Sequence, residues 1–501
     1  MLFRPDRRDF TLIGFYTGKV IFGIGLAMCV PAVMALVLGE YNDFASFLLG
    51  ASLAIAVGRA SELFLFTKEP LSTSHGLATV ALSWTVAPIF AGLPLLLSGH
   101  YASYLDAYFE AMSGFATIGL SLANDLDHMS RSVNMWRHLM QFIGGQGIIV
   151  VVLTIFASAG GRIGYLYTGE GREEKILPNV IRTSRFIWRV ALSYAVMGTT
   201  ALWLSLLHAG LDPAGALYHG ANLFMAAFDT GGFATQSSSV AFYRSSLVEI
   251  VLLPIMTAGG FSFALHYQLW MGRRNELARN IETRTIAASM LVMFAIMVVG
   301  LGRTGTFTDV GVMMRHSFFQ LVSAHTTTGL STVPGRMYVT DWGVLAPAVL
   351  VTAMALGGMA GSTAGGIKAM RVGLILKGLI RDVRKVLLPE DAIVVETFHS
   401  STRRLLTDTQ VRAAATVLLL WLVLYFGGGL IGLFYGYELQ LALFESTAAA
   451  SSAGLSVGLV RPDLEWPLKV VYVAQMMIGR LEFIAVFALL GYILAIVRGR
   501  V

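Results

Sequence analysis

Cysteine and charged side chains are both scarce in this sequence of 501 residues. Its single cysteine, Cys29, excludes a disulfide within the chain and a cysteine-rich metal site. Asp, Glu, Lys and Arg together make up 13% of the residues, against about 25% in ordinary soluble domains. Because 55% of the residues are hydrophobic and fall in long apolar runs, we predict an all-α polytopic membrane protein.

Motifs for nucleotide binding and for enzymatic chemistry are also missing from the sequence. There is no GxGxxG, P-loop or HExxH motif in a plausible context. No Ser/His/Asp constellation suggests an activated nucleophile. We therefore expect this chain to be neither an enzyme nor a protein with an organic cofactor. Any nucleotide sensing would belong to another polypeptide.

The formal net charge of +6 does not indicate a nucleic-acid partner, because the basic residues cluster on alternate connections between apolar runs. The clusters lie near 59–68, 162–189, 273–284, 368–412 and 498–500. This is the positive-inside pattern of proteins in the lipid bilayer, and it predicts that both termini are cytoplasmic. The basic N-terminus is followed by a long apolar run without a cleavage pattern, so we expect a retained first transmembrane helix.

About ten segments are long and apolar enough to span a membrane, which takes roughly 20 residues each. They lie near 11–38, 42–66, 76–98, 134–158, 187–209, 246–271, 284–302, 341–380, 410–434 and 467–497. The last eight form four pairs, and a shorter, less hydrophobic run lies within each pair, near 104–117, 214–230, 313–327 and 438–452. Each run predicts a re-entrant half-helix. We expect two extra N-terminal helices in 1–70 and four repeats in 71–160, 161–275, 276–400 and 401–501.

The four short runs end alike, in small or polar residues followed by a glycine and then by Leu or Phe. The glycines are Gly119, Gly232, Gly329 and Gly454, and the residues before them are Thr117 and Ile118, Thr230 and Gly231, Thr327 and Thr328, and Ser452 and Ala453. Four loops of one kind around an axis can form a cation filter, because backbone carbonyls replace the water of the ion. Small-xxx-small helix packing is the alternative for one such segment, but four in matching context favour a filter.

The last third of the chain contains a glycine-rich segment and an arginine at membrane depth. The segment 357–366 holds five glycines in ten residues, and each costs a helix about 1 kcal/mol relative to Ala. Its notable residues are Gly357, Gly358, Gly361, Ser362, Thr363, Gly365 and Gly366. Irregular backbone is tolerated in a membrane only where it is buried or lines a cavity; a packing kink is the alternative. Arg480 lies mid-span, so we expect it to face a polar cavity or an ion-pair partner.

The sequence resembles the Trk/Ktr/HKT superfamily of potassium transporters, and within it the bacterial TrkH-type membrane subunits. The resemblance covers nearly the whole chain and rests on the four glycine loops and on the runs QFIGGQGI at 141–148, GGMAGSTAGGIK at 357–368 and GRLE at 479–482. It implies four pseudo-symmetric helix–pore-loop–helix repeats around one pore. In relatives, glycine at all four filter positions accompanies potassium conduction and serine in the first accompanies sodium, so the resemblance implies potassium here.

The same resemblance implies roles for further residues and for partners. The segment 357–366 would act as a gate below the filter, and Arg480 would project into the pore beside it. Potassium would be the only metal ion, held by the filter residues. We expect a homodimer in the bacterial inner membrane, controlled by a cytosolic, nucleotide-binding ring of TrkA type.

Asp229, three residues before Gly232, departs from the family pattern, in which we expect an uncharged residue. It either adds a cation site at the second filter strand or pairs locally. Two other functions stay open: a sodium- or mixed-cation-conducting relative, and an ion-coupled secondary transporter with a midplane site. The repeats run parallel and the spans carry few acids apart from Glu482, which argues against the secondary transporter.

Overall fold

The computed structural model describes residues 5–67, 69, 71–147, 180–389 and 394–498. These ranges are almost entirely helical, and six of their helices are each long and apolar enough to cross a membrane alone. Two further spans consist of two helices with a sharp bend between them. The end of the fourth predicted span, at 148–158, and most of the basic cluster at 162–189 lie outside the described residues.

The first two helices, α1 (Arg7–Leu38) and α2 (Tyr41–Phe64), pack against each other as a hairpin. A Cβ on Gly58 would touch the backbone of α1, so glycine lets the two helices approach closely. Glu40, in the turn between them, accepts a hydrogen bond of 2.9 Å from the backbone amide of Arg131. This contact attaches the hairpin to the first repeat.

Four units of helix, half-helix and second helix follow the hairpin. The first contains α3 (Thr73–Leu97), α4 (Tyr104–Phe115) and α5 (Arg131–Gln146). The second contains α6 (Val180–His208), α7 (Pro213–Phe228), a 3₁₀ helix at Ser239–Tyr243, α8 (Ser246–Gly260) and α9 (Phe263–Trp270). The third contains α10 (Glu276–Arg279), α11 (Ile281–Thr304), α12 (Val310–His325), α13 (Met337–Thr340), α14 (Leu345–Ala355) and α15 (Ala369–Leu387). The fourth contains α16 (Asp408–Phe434), α17 (Leu439–Ser451), α18 (Trp466–Leu481) and α19 (Ile484–Val497). The predicted fold class is confirmed.

The half-helices α4, α7, α12 and α17 occupy the centre of the fold. Three of them begin at a capping side chain, since Ser103, Asp212 and Asp309 each accept a hydrogen bond from an amide of the first turn. The last seven residues of each are all buried. Because the C-terminal end of a helix carries partial negative charge, four such ends at the centre favour a cation there.

The second membrane helix is interrupted in the second, third and fourth repeats, whereas the sequence predicts an interruption only in the eighth span. The spans predicted at 246–271 and 467–497 each consist of two helices with a bend between them. Helices α8 and α9 meet at 104°, and α18 and α19 meet at 116°. Gly260 ends α8, while Glu482 and Phe483, with φ of 53° and 72°, break the last span. Hydropathy reports the length of an apolar run and is insensitive to a bend within it.

The described ranges contain one β-hairpin, which is formed by β1 (Thr397–Ser400) and β2 (Thr402–Leu405). It lies in the basic connection between α15 and α16. Glu396 fastens it to α15 by accepting a hydrogen bond of 2.7 Å from Lys377 and pairing with Arg384 at 2.9 Å. The hydrogen bond from Lys377, together with the nearby positive charges, lowers the pKa of Glu396.

Candidate functional site: the four glycine loops

The four glycine loops share one unusual backbone conformation. The first residue of each loop has a left-handed φ: 52° at Thr117, 49° at Thr230, 56° at Thr327 and 57° at Ser452. The loop glycines also have positive φ: 95° at Gly119, 72° at Gly232, 87° at Gly329 and 61° at Gly454. Such angles are strained for a β-branched threonine and persist at functional sites. Alternation between left-handed and ordinary φ turns successive carbonyls towards the same side of the strand.

The backbone amides of the loops are directed back at their half-helices. In all four loops, the amide of the residue before the loop glycine donates to the carbonyl five residues earlier. These bonds run from Ile118 to Ser113 at 2.9 Å, from Gly231 to Ala226 at 2.8 Å, from Thr328 to Ser323 at 2.8 Å and from Ala453 to Ala448 at 3.0 Å. These loop amides are therefore satisfied within their own repeat, and the carbonyls are the backbone groups of the loops that stay available.

The four glycines form a closed ring. A Cβ on Gly119 would meet the carbonyl of Gly231, and one on Gly232 would meet that of Thr328. A Cβ on Gly329 would meet the carbonyl of Ala453, and one on Gly454 would meet that of Ile118. Each glycine thus packs against the carbonyl that precedes the next glycine, in the order first, second, third, fourth and back to first. No residue with a side chain fits at these four positions without moving the neighbouring loop.

Three half-helices hold the strand that follows their own glycine. In each, the side chain nine residues before the glycine binds the serine two residues after it: Glu110 with Ser121 at 2.9 Å, Gln320 with Ser331 at 3.0 Å, and Glu445 with Ser456 at 2.6 Å. The two carboxylates also accept backbone amides, at 2.9 Å from Leu122 and 3.0 Å from Val457. These buried acids therefore support the loops from behind.

The glycine-rich segment 357–366 lies beneath the ring and contacts the second, third and fourth loops directly. Thr363 Oγ1 receives a hydrogen bond of 3.2 Å from Thr230, and the amide of Gly365 donates to Thr327 Oγ1 at 2.9 Å. A Cβ on Gly365 would overlap the carbonyl of Ser451, at the fourth loop. Arg480 connects the segment to the first loop, because it bonds both Thr363 and Thr117. The segment is therefore not a kink between packed helices but a layer under the four loops.

Arg480 joins three elements below the ring. Its Nη1 donates to the hydroxyl of Thr117 at 3.1 Å and to the carbonyl of Thr363 at 2.7 Å, and its Nη2 donates to the carbonyl of Gly144 at 2.6 Å. A cavity of about 30 Å³ lies beside it, lined among others by Trp84, Ser362, Lys368, Arg480 and Glu482. Glu482 pairs with Arg371 and, at 3.9 Å, with Lys368. The guanidinium thus faces a polar cavity, as expected for an arginine at membrane depth.

Four glycines, one in each repeat, lie at equivalent positions beneath the ring. A Cβ on Gly144, Gly259 or Gly479 would overlap a carbonyl at the C-terminal end of the half-helix in the same repeat. Gly357 is the counterpart in the third repeat, where it packs on the glycine-rich segment itself. The next residue is glycine in the first three repeats and Arg480 in the fourth. The arginine therefore occupies a place that the other repeats leave without a side chain.

The match to known proteins agrees with this geometry. Residues 45–493 match the TrkH family of cation transport proteins. The chain belongs to this family. It is 30% identical over 489 residues to an uncharacterized cation transporter of Methanocaldococcus jannaschii, covering 97% of this chain and 96% of that protein. It is 28% identical over 493 residues to the Trk system potassium uptake protein TrkH of Halomonas elongata, with coverages of 94% and 96%.

A solved structure shares the fold. The crystal structure of the potassium transporter TrkH from Vibrio parahaemolyticus matches with a TM-score of 0.82 at 24% identity, covering 96% of this chain and 98% of that one. Membership of the TrkH family shows that this chain is a multi-pass membrane transport protein and not an enzyme. The resemblance inferred from the sequence motifs is confirmed.

Asp229 has a local partner in this TrkH-family chain. It caps the C-terminal end of α7 and is buried, and its Oδ1 accepts a hydrogen bond of 2.8 Å from Gln146. A Cβ on Gly145 would overlap the carboxylate, so glycine makes room for it near the C-terminal end of α5. This arrangement matches the local pairing considered from the sequence. A further cation site at Asp229 stays a prediction.

The sequence reasoning missed one residue that holds the glycine-rich segment. The buried carboxylate of Glu282, in the first turn of α11, accepts the amide of Ala360 at 2.7 Å and that of Met370 at 3.2 Å. It therefore ties the segment to the end of a helix in the same repeat. The only signal in the sequence is an acid at the start of an apolar span, where it is ordinarily read as an N-terminal helix charge.

Proposed function

We propose that this chain is the potassium-translocating membrane subunit of a Trk-type uptake system. Potassium crosses a filter made by the carbonyls of the four glycine loops, losing its water to backbone oxygens on the way. The loop residues are uncharged, so the ion is released again rather than trapped. The relatives named for potassium uptake, at 28% identity over most of the chain, support potassium as the ion.

The observation that carries the proposal is the closed ring of glycines. All four loops adopt left-handed φ at the same two positions, and each glycine abuts the carbonyl of the next loop. A secondary transporter with one midplane site needs no such four-fold ring. The second candidate is a sodium- or mixed-cation-conducting relative with the same ring, and glycine rather than serine at Gly119 favours potassium over it.

The segment 357–366 and Arg480 form the gate in this proposal. The segment lies under the ring and is held by hydrogen bonds from Arg480 and to Glu282. A fixed positive charge below the filter raises the barrier for a cation, and the hydrogen bonds keep the segment in the path. Opening requires the segment to leave the four loops.

The partners and the location follow from the family. We propose a homodimer in the bacterial inner membrane with both termini in the cytoplasm. Control comes from a cytosolic TrkA-type ring that binds nucleotides, for which the basic connection with the β-hairpin offers a cytoplasmic surface. Crosslinking of the detergent-purified chain tests the dimer, and purification together with a candidate ring protein tests the partner.

Ion flux into liposomes tests the function. The purified chain should pass potassium and rubidium without any organic solute, and sodium more slowly. Empty liposomes and a Gly119→Val variant, which blocks the ring with a branched side chain, serve as controls. Flux that appears only with a coupled organic solute contradicts the proposal, and equal sodium and potassium flux favours the mixed-cation candidate.

A further inference from the structure

One face of α5 carries a stripe of four polar side chains, which we call the α5 stripe: Asn134, Arg137, His138 and Gln141. Their i, i+3, i+4, i+7 spacing puts them on one side of the helix, and all four are buried. Arg137 also pairs with the buried Glu110 at 2.7 Å. The sequence places this stripe inside an apolar span, where four buried polar residues need partners.

The partners are four backbone carbonyls in and just after the second glycine loop. Gln141 Nε2 donates to the carbonyl of Gly231. His138 Nε2 lies 3.2 Å from the carbonyl of Phe233. In the same register, Arg137 donates to Ala234 at 3.2 Å and Asn134 donates to Thr235 at 3.2 Å. A helix of the first repeat therefore holds the loop of the second repeat along its length.

The second loop needs this support because its own half-helix lacks it. The other three half-helices carry Glu110, Gln320 or Glu445 nine residues before their glycine, and each binds its own strand. The second has Leu223 at that place, which cannot form a hydrogen bond. The α5 stripe, which lies on a helix of the first repeat, forms the hydrogen bonds to the second loop instead.

Gln141 is the member of the stripe that acts at the filter itself. Its Nε2 donates to the carbonyl before Gly232, and its Oε1 accepts the amide after Gly232, from Phe233, at 3.3 Å. One side-chain amide thus brackets the filter glycine on both sides. A Cβ on Gly231 would overlap that amide, which explains why the second loop alone carries a double glycine.

We propose that Gln141 is a positioning residue that sets the cation selectivity of the filter by holding the carbonyl of Gly231. The inference rests on the proposed function. The carbonyls before the other filter glycines belong to Ile118, Thr328 and Ala453, and only Gly231 receives a side-chain donor from the α5 stripe. A carbonyl oxygen has two lone pairs, so a donor on one fixes the direction of the other. Without it, the ring closes more easily around a smaller ion.

The test replaces Gln141 by Met, which keeps the volume and removes both hydrogen bonds. The sodium-to-potassium flux ratio in liposomes should rise about fivefold, the effect of one ordinary neutral hydrogen bond. The amount of folded protein should stay near that of the unchanged chain. A flux ratio equal to that of the unchanged chain overturns the inference.

A matched control is Gln475→Met. Gln475 is also buried, and its Nε2 donates to the carbonyl of Leu424 in α16 at 2.7 Å and to the hydroxyl of Ser446 in α17 at 2.9 Å; neither partner belongs to a glycine loop. This variant also loses hydrogen bonds of a buried side-chain amide. Because none of them involves a glycine loop, its sodium-to-potassium flux ratio should not change. An equal rise in both variants points to general loosening of the fold and overturns a specific role for Gln141.

A second variant covers the case in which Gln141→Met does not fold. Gln141→Glu keeps the shape, but an ionised carboxylate cannot donate to Gly231, whereas the protonated acid can. The flux ratio should be high at high pH and should return towards that of the unchanged chain as the pH falls. A ratio independent of pH contradicts the inference. If the unchanged chain itself passes no potassium, the proposed function fails and the inference fails with it.

Discussion

Replacing Arg480 by Ala should raise potassium flux. The variant loses the hydrogen bonds to Thr363 at 2.7 Å, to Thr117 at 3.1 Å and to Gly144 at 2.6 Å. A hydrogen bond from a charged group contributes about 1.5–3 kcal/mol. Losing the bond to Thr363 alone therefore shifts the balance between the blocking and open positions of segment 357–366 by about 10- to 150-fold.

Two further variants separate the charge of Arg480 from its hydrogen bonds. Arg480→Lys keeps the positive charge but, as a compact point charge, cannot reach three acceptors on different elements. Arg480→Gln keeps donors and removes the charge. We expect the flux of both to lie between those of the unchanged chain and Arg480→Ala, because each keeps one of the two restraints.

The assay is rubidium uptake into liposomes that contain equal amounts of folded protein, with the thermal midpoint of each variant as the control for stability. The flux of the variant can rise at most until the pore is always open. Electrical recording of the fraction of time for which the unchanged chain is open therefore gives the largest increase to expect. A fall in flux with an unchanged thermal midpoint would refute the role of Arg480 as a barrier.

Three other perturbations follow from the contacts around the site. Gly119→Ser should raise sodium flux relative to potassium, because a Cβ there overlaps the next loop; an unchanged ratio contradicts the filter assignment. Asp106→Asn removes the carboxylate 2.6 Å from buried Lys469, and it should lower the free energy of unfolding by about 3–5 kcal/mol. The double variant Asp106→Leu with Lys469→Met leaves no unpaired charge and should recover most of that loss. Denaturant titration measures both. Glu282→Gln should raise flux, since a neutral amide accepts the amide of Ala360 less strongly; unchanged flux at normal stability argues against this anchor.

Local sequence patterns account for most of the structural features that the sequence predicts correctly. The half-helices predicted at 104–117 and 313–327 are observed as Tyr104–Phe115 and Val310–His325. Short apolar length, capping residues and a terminal glycine are properties of a few consecutive residues, so the sequence displays them directly. The same holds for the glycine-rich segment, whose composition alone prevents a helix.

Contacts between distant parts of the chain were beyond the same reasoning. The bends at Gly260 and Glu482 depend on the packing of each second helix against a half-helix carbonyl, and hydropathy is blind to that packing. In the sequence, the α5 stripe is four polar residues in an apolar span, and only its contacts with the second loop explain them. Glu282 likewise has no visible role until the amides of the glycine-rich segment are brought to it.

The sequence by itself determined that this is an all-α membrane transporter with four repeated glycine loops, because burial in lipid and a four-fold repeat leave marks on composition and spacing. Only the tertiary structure decided how the loops meet. The order of the ring, the layer formed by 357–366 under it, and the three bonds of Arg480 join residues between 38 and 363 positions apart. Their energies depend on distance in space, which spacing along the chain does not encode.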